Sequence, residues 1–443
     1  MVDTVPVAGS GAVGARPGRP SIPDSPVSTG GAAGASVFRT GPTGLGTAAA
    51  RLFTAAGESG AAPPAAAPPD SPAVAPPAPP AAASLPDVVA QLGLSGLGTS
   101  AAGLTPERAP APGHDPVYIE RPWGDGTASP LYCPVVERIN EPLAEEVQRR
   151  LDEWAEDCGY TGDGLEQIRR SQLGRLVMLA HSGSEDPDLL LIAAQLNAAW
   201  WAADDYYADD SSLGATPTSL PPRLAMAMAA MDPVAPAGEF SAPLDEALRS
   251  DPILVSLRSG IDHLLRHGSP VQAQRVCYST FAMFVSWCAY AAWRHTADYP
   301  EAWKYLATRQ HDSFYTSMTL VDVVDGYELP AHFYYDPRVR RMMMQAGTAS
   351  VMVNDLFSVA KDAADENPVC NMVLQIAEDR KCSIEEATEV TIGLHNQFVH
   401  DFEDGHRELA VVPSPELHRF LKGVRAWMGG GVEWHATNPR YQS

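Results

Sequence analysis

The strongest constraint on the fold is a succession of segments in which apolar residues recur every three or four positions. In the segment from Glu141 to Cys158, Leu143, Val147 and Leu151 fall on one face of a helix. Ser, Asp or Pro opens several such segments, as is typical of helix starts. The same pattern predicts helices over residues 165–181, 188–207, 219–231, 244–267, 270–295, 300–324, 337–361, 367–379, 383–407 and 414–428. We therefore expect about ten helices in one all-α domain.

Strands are expected to be few. No run rich in Val, Ile or Thr alternates with polar residues between turn signals, which is the pattern of a strand. Residues 121–140 carry Pro and Gly every few positions, which predicts an ordered but irregular segment before the first helix.

Residues 1–113 differ from the rest of the chain. They contain 19 of the 40 prolines, no Trp and no Tyr. Such a segment cannot bury enough apolar surface to offset the entropy lost on ordering. We predict a disordered Pro/Ala/Gly-rich extension over residues 1–113, with residues 61–86 mostly extended, and one folded domain over residues 114–443.

The charge of the chain argues against nucleic-acid binding. The formal net charge is −23, and residues 1–113 contribute five Arg against six acidic residues, or −1. The folded part lacks the basic surface that a nucleic acid requires. An acidic protein that binds an anionic substrate must concentrate cations, and divalent metals would do so.

The cysteines and the N-terminal sequence favour the cytoplasm. The six cysteines lie far apart, with no C-x-x-C pair, so we expect reduced and mostly buried thiols. No apolar run approaches the ~20 residues of a membrane span. The N-terminus lacks a basic start followed by an apolar core, so no signal peptide is predicted.

A polar stripe marks the helix predicted over residues 337–361 and its continuation. Asn354, Ser358 and Asp362 are spaced four apart and therefore share one helix face. Amide, hydroxyl and carboxylate oxygens are ligands for hard cations such as Mg²⁺, which also bind phosphates. The stripe could hold a metal that in turn holds a diphosphate.

A second acidic cluster ends the helix predicted over residues 188–207. Asp204, Asp205 and Asp209 lie where the negative end of the helix dipole disfavours carboxylates, which suggests a bound cation. A solvated acidic loop would explain the cluster equally well. The aromatic neighbours Trp200 and Tyr206 favour the metal site.

These two motifs together resemble those of the bacterial class I terpene synthases. Members of that family are all-α barrels in which an aspartate-rich motif and an Asn/Ser/Glu motif bind three Mg²⁺ and an isoprenoid diphosphate. The resemblance implies metal ligation by Asp204, Asp205 and Asp209 on one side and by the Asn354 stripe on the other, with Mn²⁺ as an alternative ion. Asp362 departs from the pattern, because the family usually has the longer Glu there.

Further residues match the family's diphosphate-binding elements. Arg309, which lies 45 positions before Asn354, resembles the Arg that senses the diphosphate. The resemblance also implies diphosphate binding by Lys361 and by the Arg440-Tyr441 pair, and it implies that Gly326 is the helix break that links binding to ionisation. An exposed helix position for Arg309 and a frayed tail for Arg440-Tyr441 are the neutral alternatives.

The resemblance implies a dry aromatic cavity in which an allylic cation cyclises. Ordinary core packing explains each aromatic residue at least as well, because several of them lie on buried helical stripes. The candidate wall residues are Trp200, Phe281, Phe284, Trp287, Phe314 and Tyr315.

Within the family, the stretches Leu131–Pro134 and Trp201–Tyr207 resemble members that cyclise 2-methylgeranyl diphosphate, a substrate made by a separate methyltransferase. The expected product is a water-quenched bicyclic C11 alcohol. Proton loss to 2-methylenebornane, or cyclisation of geranyl or farnesyl diphosphate, stays open, as does a homodimer. The competing classes are a prenyltransferase, which would carry a second Asp-rich motif, and an inert scaffold that uses the Pro-rich extension to bind partners.

Overall fold

The computed structural model describes residues 117–209, 215–364 and 371–441, apart from the side chains of Asp209 and Arg440. The predicted extension over residues 1–113 lies outside these ranges. All described residues belong to one compact unit, Pro106–Ser443.

The described residues form sixteen α-helices, which confirms the all-α prediction. Their bounds are α1 Glu141–Asp157, α2 Gly162–Ser171, α3 Leu173–Ala180, α4 Pro187–Ala203, α5 Leu220–Met231, α6 Ser241–Ser250, α7 Pro252–His267, α8 Pro270–Thr296, α9 Ala302–Arg309, α10 Tyr315–Met318, α11 Val321–Val324, α12 Ala331–Tyr334, α13 Pro337–Ala364, α14 Met372–Arg380, α15 Ile384–Leu409 and α16 Pro415–Thr437. A π-helical turn, Asp204–Asp209, continues α4, and short 3₁₀ turns occur at Gly238–Phe240 and Pro439–Tyr441.

The segment predicted to be irregular contains part of a small hairpin. Strands β1, Tyr118–Arg121, and β2, Leu131–Pro134, pair antiparallel, with Arg121 opposite Leu131. The hairpin packs on α15 and α16, where the Asn396 side chain accepts a hydrogen bond from the Tyr132 amide at 2.8 Å. These two strands are the only ones in the described part of the chain, in agreement with the expectation of few strands.

Helix α4 forms the centre of the domain. Nearly every residue from Leu190 to Ala203 is buried, because a helix that is apolar on all sides must be enclosed by others. Helices α1, α3 and α7 pack around it. Two of its buried polar side chains are paired, since Gln195 binds His263 of α7 and Asn197 accepts a hydrogen bond from Ser317. The Asp-rich turn follows directly at the end of this helix.

Three predicted helices are broken into shorter ones. The helix predicted over 165–181 breaks at Gln172, which takes a left-handed φ of 50°. The helix over 244–267 restarts at Asp251, whose side chain caps the Ile253 amide ahead of α7. The helix over 300–324 becomes α9, α10 and α11. Apolar periodicity continues across such breaks, which is why it does not reveal them.

Helix α16 runs nine residues beyond its predicted end at Met428, through three consecutive glycines. The prediction treats Gly429, Gly430 and Gly431 as a stop signal, but the glycines serve close packing instead. A Cβ on Gly430 would lie 2.7 Å from the Leu179 backbone, and one on Gly429 would lie 2.7 Å from the Pro134 carbonyl oxygen. Only glycine lets the helix approach α3 and β2 this closely.

Two further sequence-based expectations concern cysteines and membranes. Five of the six cysteines lie in the described residues, and all five are free, with Cys133, Cys158 and Cys277 buried. Cys370 lies outside the described residues. None of the helices described above is long and apolar enough to cross a membrane.

Candidate active site

The Asn354 amide is held by three partners at the middle of α13. Its Nδ2 donates to the Tyr441 hydroxyl at 2.9 Å and contacts His435 Nε2 at 3.3 Å. His435 Nδ1 lies 2.7 Å from the Gly431 carbonyl oxygen and must donate to it, so Nε2 is the acceptor for Asn354. Asn354 Oδ1 accepts from Arg309 Nη2 at 3.3 Å. The amide is thereby oriented with its oxygen toward the guanidinium.

Arg309 ends α9 between two carboxylates. Its Nη1 donates to Asp312 Oδ2 at 2.6 Å, and its Nη2 donates to Asp355 Oδ1 at 2.7 Å. Burial alone would lower the pKa of the guanidinium, but Asp355, Tyr305 and Asp312 outweigh it and hold that pKa well above its ordinary value. Arg309 therefore stays charged beside Asn354, as binding of an anion would require.

Asp355 lies one position after Asn354 on the buried side of α13. Its Oδ2 accepts from the Met372 amide at 2.9 Å and from the Tyr305 hydroxyl at 3.1 Å. Burial raises the pKa of this carboxyl above its ordinary value, and the Arg309 guanidinium opposes the shift. Asp355 thus anchors Arg309 from the core side.

Ser358 and Asp362 form the second half of the stripe. Ser358 Oγ donates to Asp362 Oδ2 at 2.7 Å. Buried Asn371, the N-cap of α14, donates from Nδ2 to Asp362 Oδ2 at 2.9 Å and to the Asp355 carbonyl oxygen at 2.8 Å. The hydroxyl and the carboxylate are therefore fixed side by side, about one and two helical turns beyond Asn354.

The π-helical turn after α4 presents the Asp-rich motif. Asp205 Oδ2 accepts from Gln167 Nε2 of α2 at 2.5 Å, which turns this carboxylate toward α2. The Tyr207 hydroxyl donates to Asp251, and Arg294 of α8 donates to the Ala208 carbonyl oxygen at 3.0 Å. Asp204 is half-buried. The side chain of Asp209 lies outside the described residues.

A row of aromatic rings connects the two motifs. Trp201, one turn before Asp205, has its ring centroid 5.4 Å from that of Trp434. Trp434 precedes His435, and its ring lies 5.5 Å from Tyr441. The C-terminal segment that binds Asn354 therefore also packs against the end of α4. Both motifs lie at this end of the domain.

Two predicted diphosphate ligands remain outside these contacts. The side chain of Arg440 lies outside the described residues. Lys361 is exposed, one position before Asp362 on α13. Their predicted roles therefore stay predictions, whereas Arg309 and Tyr441 both contact Asn354 directly.

The structure places Gly326, the predicted helix break that triggers ionisation, away from the contacts of Arg309. Gly326 follows α11 with a φ of 71° and lies against Leu189 in the first turn of α4. Asp204 lies at the other end of that helix, about 22 Å along its axis. The break that adjoins Arg309 is the irregular segment 310–314, which contains Asp312. Several glycines interrupt helices in this chain, and spacing alone does not tell which interruption reaches the site.

Four of the six predicted wall residues fall into three groups. Phe314 lies beside the site, with its ring 5.2 Å from Trp427 and 5.9 Å from His435. Trp287 donates from Nε1 to Asp312 at 3.0 Å and packs on buried Phe284. Trp200 is buried in the core cluster at the end of α4.

Phe281 is a correction to the predicted wall, whereas Tyr315 stays a predicted wall residue whose hydroxyl points toward the start of α13. Phe281 is 53% exposed and lies on the outer face of α8, so it cannot line an enclosed cavity. The Tyr315 hydroxyl accepts from Arg340 Nη1 at 2.9 Å, in the first turn of α13 and about 21 Å along that helix from Asn354. Residue type and spacing identified both as aromatic helix residues but did not fix the direction in which they point.

Three residues of the candidate site were not predicted from the sequence. His435 and Phe357 lie 5.8 Å apart, ring to ring, beside Tyr441. Asn371 resembles an ordinary N-cap in the sequence, and nothing in its spacing connects it to Asp362. Only the position of His435, six residues before Tyr441, could have indicated that it reaches the same site.

The donor chemistry of the stripe fits a magnesium ion. An amide oxygen, a hydroxyl and a carboxylate are hard oxygen ligands. Among the residues that the structure describes, no three His, Cys, Asp or Glu side chains could hold a metal by themselves. A cation here would complete its shell with diphosphate and water oxygens, as Mg²⁺ commonly does at phosphate sites.

Comparison with known proteins gives a consistent result. Residues 195–401 match the family model described as terpene synthase family 2, C-terminal metal binding. The 2-methylisoborneol synthase of Streptomyces ambofaciens is 36% identical over 351 residues, which cover 78% of this chain and 79% of that protein. The enzyme of the same name from Streptomyces griseus is 33% identical over 427 residues, covering 91% and 94%. The crystal structure of 2-methylisoborneol synthase from Streptomyces coelicolor A3(2) with Mg²⁺ and 2-fluoroneryl diphosphate superposes with a TM-score of 0.68 at 33% identity, covering 72% and 98%.

Proposed function

This chain belongs to the terpene synthase family, and from that premise we propose that it cyclises 2-methylgeranyl diphosphate to the bicyclic C11 alcohol 2-methylisoborneol. The observation that carries the proposal is the direct contact of Arg309, Asn354 and Tyr441. These residues place a cation, an amide oxygen and a phenol at one point, as recognition of a diphosphate requires. The similarity to three enzymes of that name supports the choice of substrate.

The metal ligands in this proposal are Asn354, Ser358 and Asp362 on α13 and Asp204 and Asp209 on the π-helical turn. Bound Mg²⁺ would neutralise the diphosphate and make it a better leaving group. Asn371 holds Ser358 and Asp362 in place for this role. Asp205 acts in the same proposal by anchoring the turn to Gln167, which restricts where its neighbour Asp204 points.

Charged side chains of the chain itself would bind the leaving diphosphate. Arg309 offers a guanidinium that stays charged and can bind phosphate oxygens with two nitrogens. Tyr441 supplies a hydroxyl beside it, and Arg440 and Lys361 are proposed to bind the same anion. The developing negative charge is then surrounded by donors on fixed helices.

The aromatic residues would shape the cavity in which the carbocation reacts. Phe314, Phe357 and His435 surround Asn354, and Trp427 lies behind them. An aromatic face can stabilise a nearby cation by about 0.5–2 kcal/mol. Exclusion of bulk water lets the ring close before the cation is quenched. One retained water would give the alcohol, whereas loss of a proton would give 2-methylenebornane.

The substrate proposal is tested with purified protein, Mg²⁺ and three substrates in parallel: geranyl, 2-methylgeranyl and farnesyl diphosphate. We expect 2-methylgeranyl diphosphate to give the highest kcat/KM and 2-methylisoborneol as the main product by gas chromatography with mass detection. A higher kcat/KM with farnesyl diphosphate would instead indicate a sesquiterpene product. Release of diphosphate from none of the three would contradict it. A methyltransferase acting on geranyl diphosphate would have to supply the favoured substrate.

His435→Phe is expected to weaken the apparent affinity for Mg²⁺ by about 10–100-fold, the usual effect of removing a residue that orients a metal ligand. Phenylalanine keeps the ring packing but cannot accept the hydrogen bond from Asn354 Nδ2. Turnover measured against Mg²⁺ concentration gives the change. His435→Gln keeps an acceptor and should recover part of the lost Mg²⁺ affinity. His400→Phe, at an exposed position of α15, is the matched control. If all variants depended equally on the Mg²⁺ concentration, the proposed role of His435 in orienting Asn354 would be contradicted.

Deletion of residues 1–113 is expected to leave kcat and KM unchanged. Every proposed metal and diphosphate ligand lies after Trp200, and the described residues start at 117. Steady-state kinetics of the shortened and full chains on the same substrate give the comparison. A loss of more than tenfold in kcat/KM with an unchanged melting temperature would assign the extension a role in catalysis.

A further inference from the structure

A hydrogen-bonded pair of polar side chains joins α4 to α10 in the interior of the domain. Ser317 Oγ donates to Asn197 Oδ1 at 2.7 Å, and Asn197 Nδ2 donates to the Ala193 carbonyl oxygen at 2.9 Å. Asn197 is 1% exposed and Ser317 is 4% exposed. Because Ser317 gives its only hydrogen to Asn197, the lone pairs of its oxygen remain available to accept a hydrogen bond.

Helical spacing relates this pair to the candidate metal site. Asn197 precedes Asp204 by seven residues, or two turns of α4, so both lie on the same face of the helix. The two positions are about 10 Å apart along the helix axis. Asn197 therefore lies at the depth where the hydrocarbon of a substrate would lie if its diphosphate were bound at the Asp-rich turn.

A third polar side chain lies one turn beneath Asn354 on α13. Ser350 precedes Asn354 by four residues, so it shares the face of the proposed ligands, about 6 Å deeper. Ser350 is 4% exposed, and its hydroxyl has no hydrogen-bond partner among the residues that the structure describes. Buried hydroxyls are normally paired, and where the protein supplies no partner a water molecule commonly does.

Helix α10 connects α4 and α13 at this depth. Ser317 binds α4, whereas Tyr315 lies against Gly347 of α13, where an added Cβ would be 2.6 Å from the Tyr315 amide nitrogen. Gly347 lies about one turn before Ser350. This close approach brings the segment that carries Ser317 next to the turn that carries Ser350.

We propose that Ser317 and Ser350 hold the water molecule that captures the last carbocation, and that Asn197 positions Ser317 for this task. The inference rests on the proposed function and concerns the step that follows ring closure. Two hydroxyl oxygens can accept both hydrogens of one water, which leaves a lone pair of the water oxygen for the cation. Without a bound water, polar groups at this depth would be costly, because a hydrocarbon offers them no hydrogen bond.

The capture step needs no reactant besides water. A lone pair of the water oxygen forms the new C–O bond to the cationic carbon, and the resulting oxonium ion passes one proton to an oxygen of the released diphosphate. In the competing step, a carbon next to the cationic carbon loses a proton, no C–O bond forms, and the product is the olefin. The ratio of alcohol to olefin therefore reports whether water is held at the cation.

Gas chromatography with mass detection measures this ratio for the full chain with Mg²⁺ and 2-methylgeranyl diphosphate. We expect Ser317→Ala and Ser350→Ala each to lower the ratio of 2-methylisoborneol to 2-methylenebornane about tenfold, the effect of one lost hydrogen bond. Ser317→Thr keeps the hydroxyl and should recover most of the ratio. Asn197→Leu should lower the ratio as well, because Ser317 then loses the acceptor that orients its hydrogen.

Thr391→Val is the matched control. It removes a buried hydroxyl that donates to the Ala387 carbonyl oxygen at 2.9 Å within α15, and it should give the wild-type ratio. Diphosphate release in the same reactions separates a change in capture from a loss of ionisation, and circular dichroism confirms that each variant is folded. A crystal structure of the full chain should show an ordered water within about 3 Å of both serine oxygens, and Ser317→Ala should lose it.

The outcomes distinguish this proposal from the proposed function. If diphosphate is released and the ratio is the same in Ser317→Ala, Ser350→Ala and the wild type, the water site is overturned and the proposed cyclisation stands. A wild type that forms only the olefin would also overturn the water site. Release of diphosphate from none of the three substrates would contradict the proposed function itself, and this inference with it.

Discussion

Asn354→Ala is expected to slow diphosphate release by at least about 10³-fold. Alanine removes the amide oxygen proposed to ligate Mg²⁺. It also removes the common partner of His435, Tyr441 and Arg309, so all three lose the group that fixes their relative positions. Stability should fall by only about 1–3 kcal/mol, because the amide is half-buried.

Diphosphate release measured over a single turnover with excess enzyme reports this step directly. Gln345→Ala is the matched control, since Gln345 lies on the same helix about 13 Å from Asn354 and makes none of the contacts of the site that the structure describes. We expect the control to retain nearly full activity. Activity of Asn354→Ala within tenfold of the wild type would show that the stripe does not hold the metal.

Arg309→Leu is expected to abolish turnover and to destabilise the domain by about 3–5 kcal/mol. The substitution removes the proposed diphosphate ligand. It also leaves the Asp312 and Asp355 carboxylates facing each other without a cation, and Asp355 is only 2% exposed. Thermal unfolding followed by circular dichroism measures the loss. Arg407→Leu, which breaks an exposed ion pair on α15, should cost less than about 1 kcal/mol.

The instability of Arg309→Leu should increase with pH. Burial already raises the pKa of Asp355 in the folded protein, and removing the guanidinium that opposes this shift raises that pKa further. A carboxyl whose pKa is higher folded than unfolded binds its proton more tightly in the native state, so its contribution to stability is lost as the pH rises through the folded pKa. The difference in melting temperature between wild type and variant should therefore be larger at pH 8 than at pH 5. If the difference in melting temperature were constant with pH, ionisation of Asp355 would not be the cause of the lost stability.

Sequence alone predicted the candidate site best where its donor residues repeat along one helix. The four-residue spacing of Asn354, Ser358 and Asp362 placed three donors on one face, and the structure holds Ser358 and Asp362 in direct contact. The all-α fold followed from apolar periodicity because each helix must bury one face. These are local properties, which spacing determines.

Sequence reasoning failed where a residue's role depends on a distant partner. Asn371 binds Asp362 across an interruption between two helices, and His435 reaches Asn354 from a position 81 residues away. Phe281 and Phe284 look alike in sequence, yet they face opposite sides of α8, since the choice of outer face depends on which helices pack beside it. The place of Gly326 in the fold likewise depends on a distant partner, because Gly326 lies against Leu189.

Through close packing, the glycines of α16 set the position of the aromatic residues of the candidate site from a distance. His435 lies one turn after Gly431, and backbone contacts at Gly430 and Gly429 limit how closely α16 approaches α3 and β2. A single methyl group added at either glycine would push α16 away from its neighbours. The aromatic side chains of the candidate site would then move without being replaced. Under the proposed function, such substitutions would alter the mixture of products, although neither glycine belongs to the candidate site.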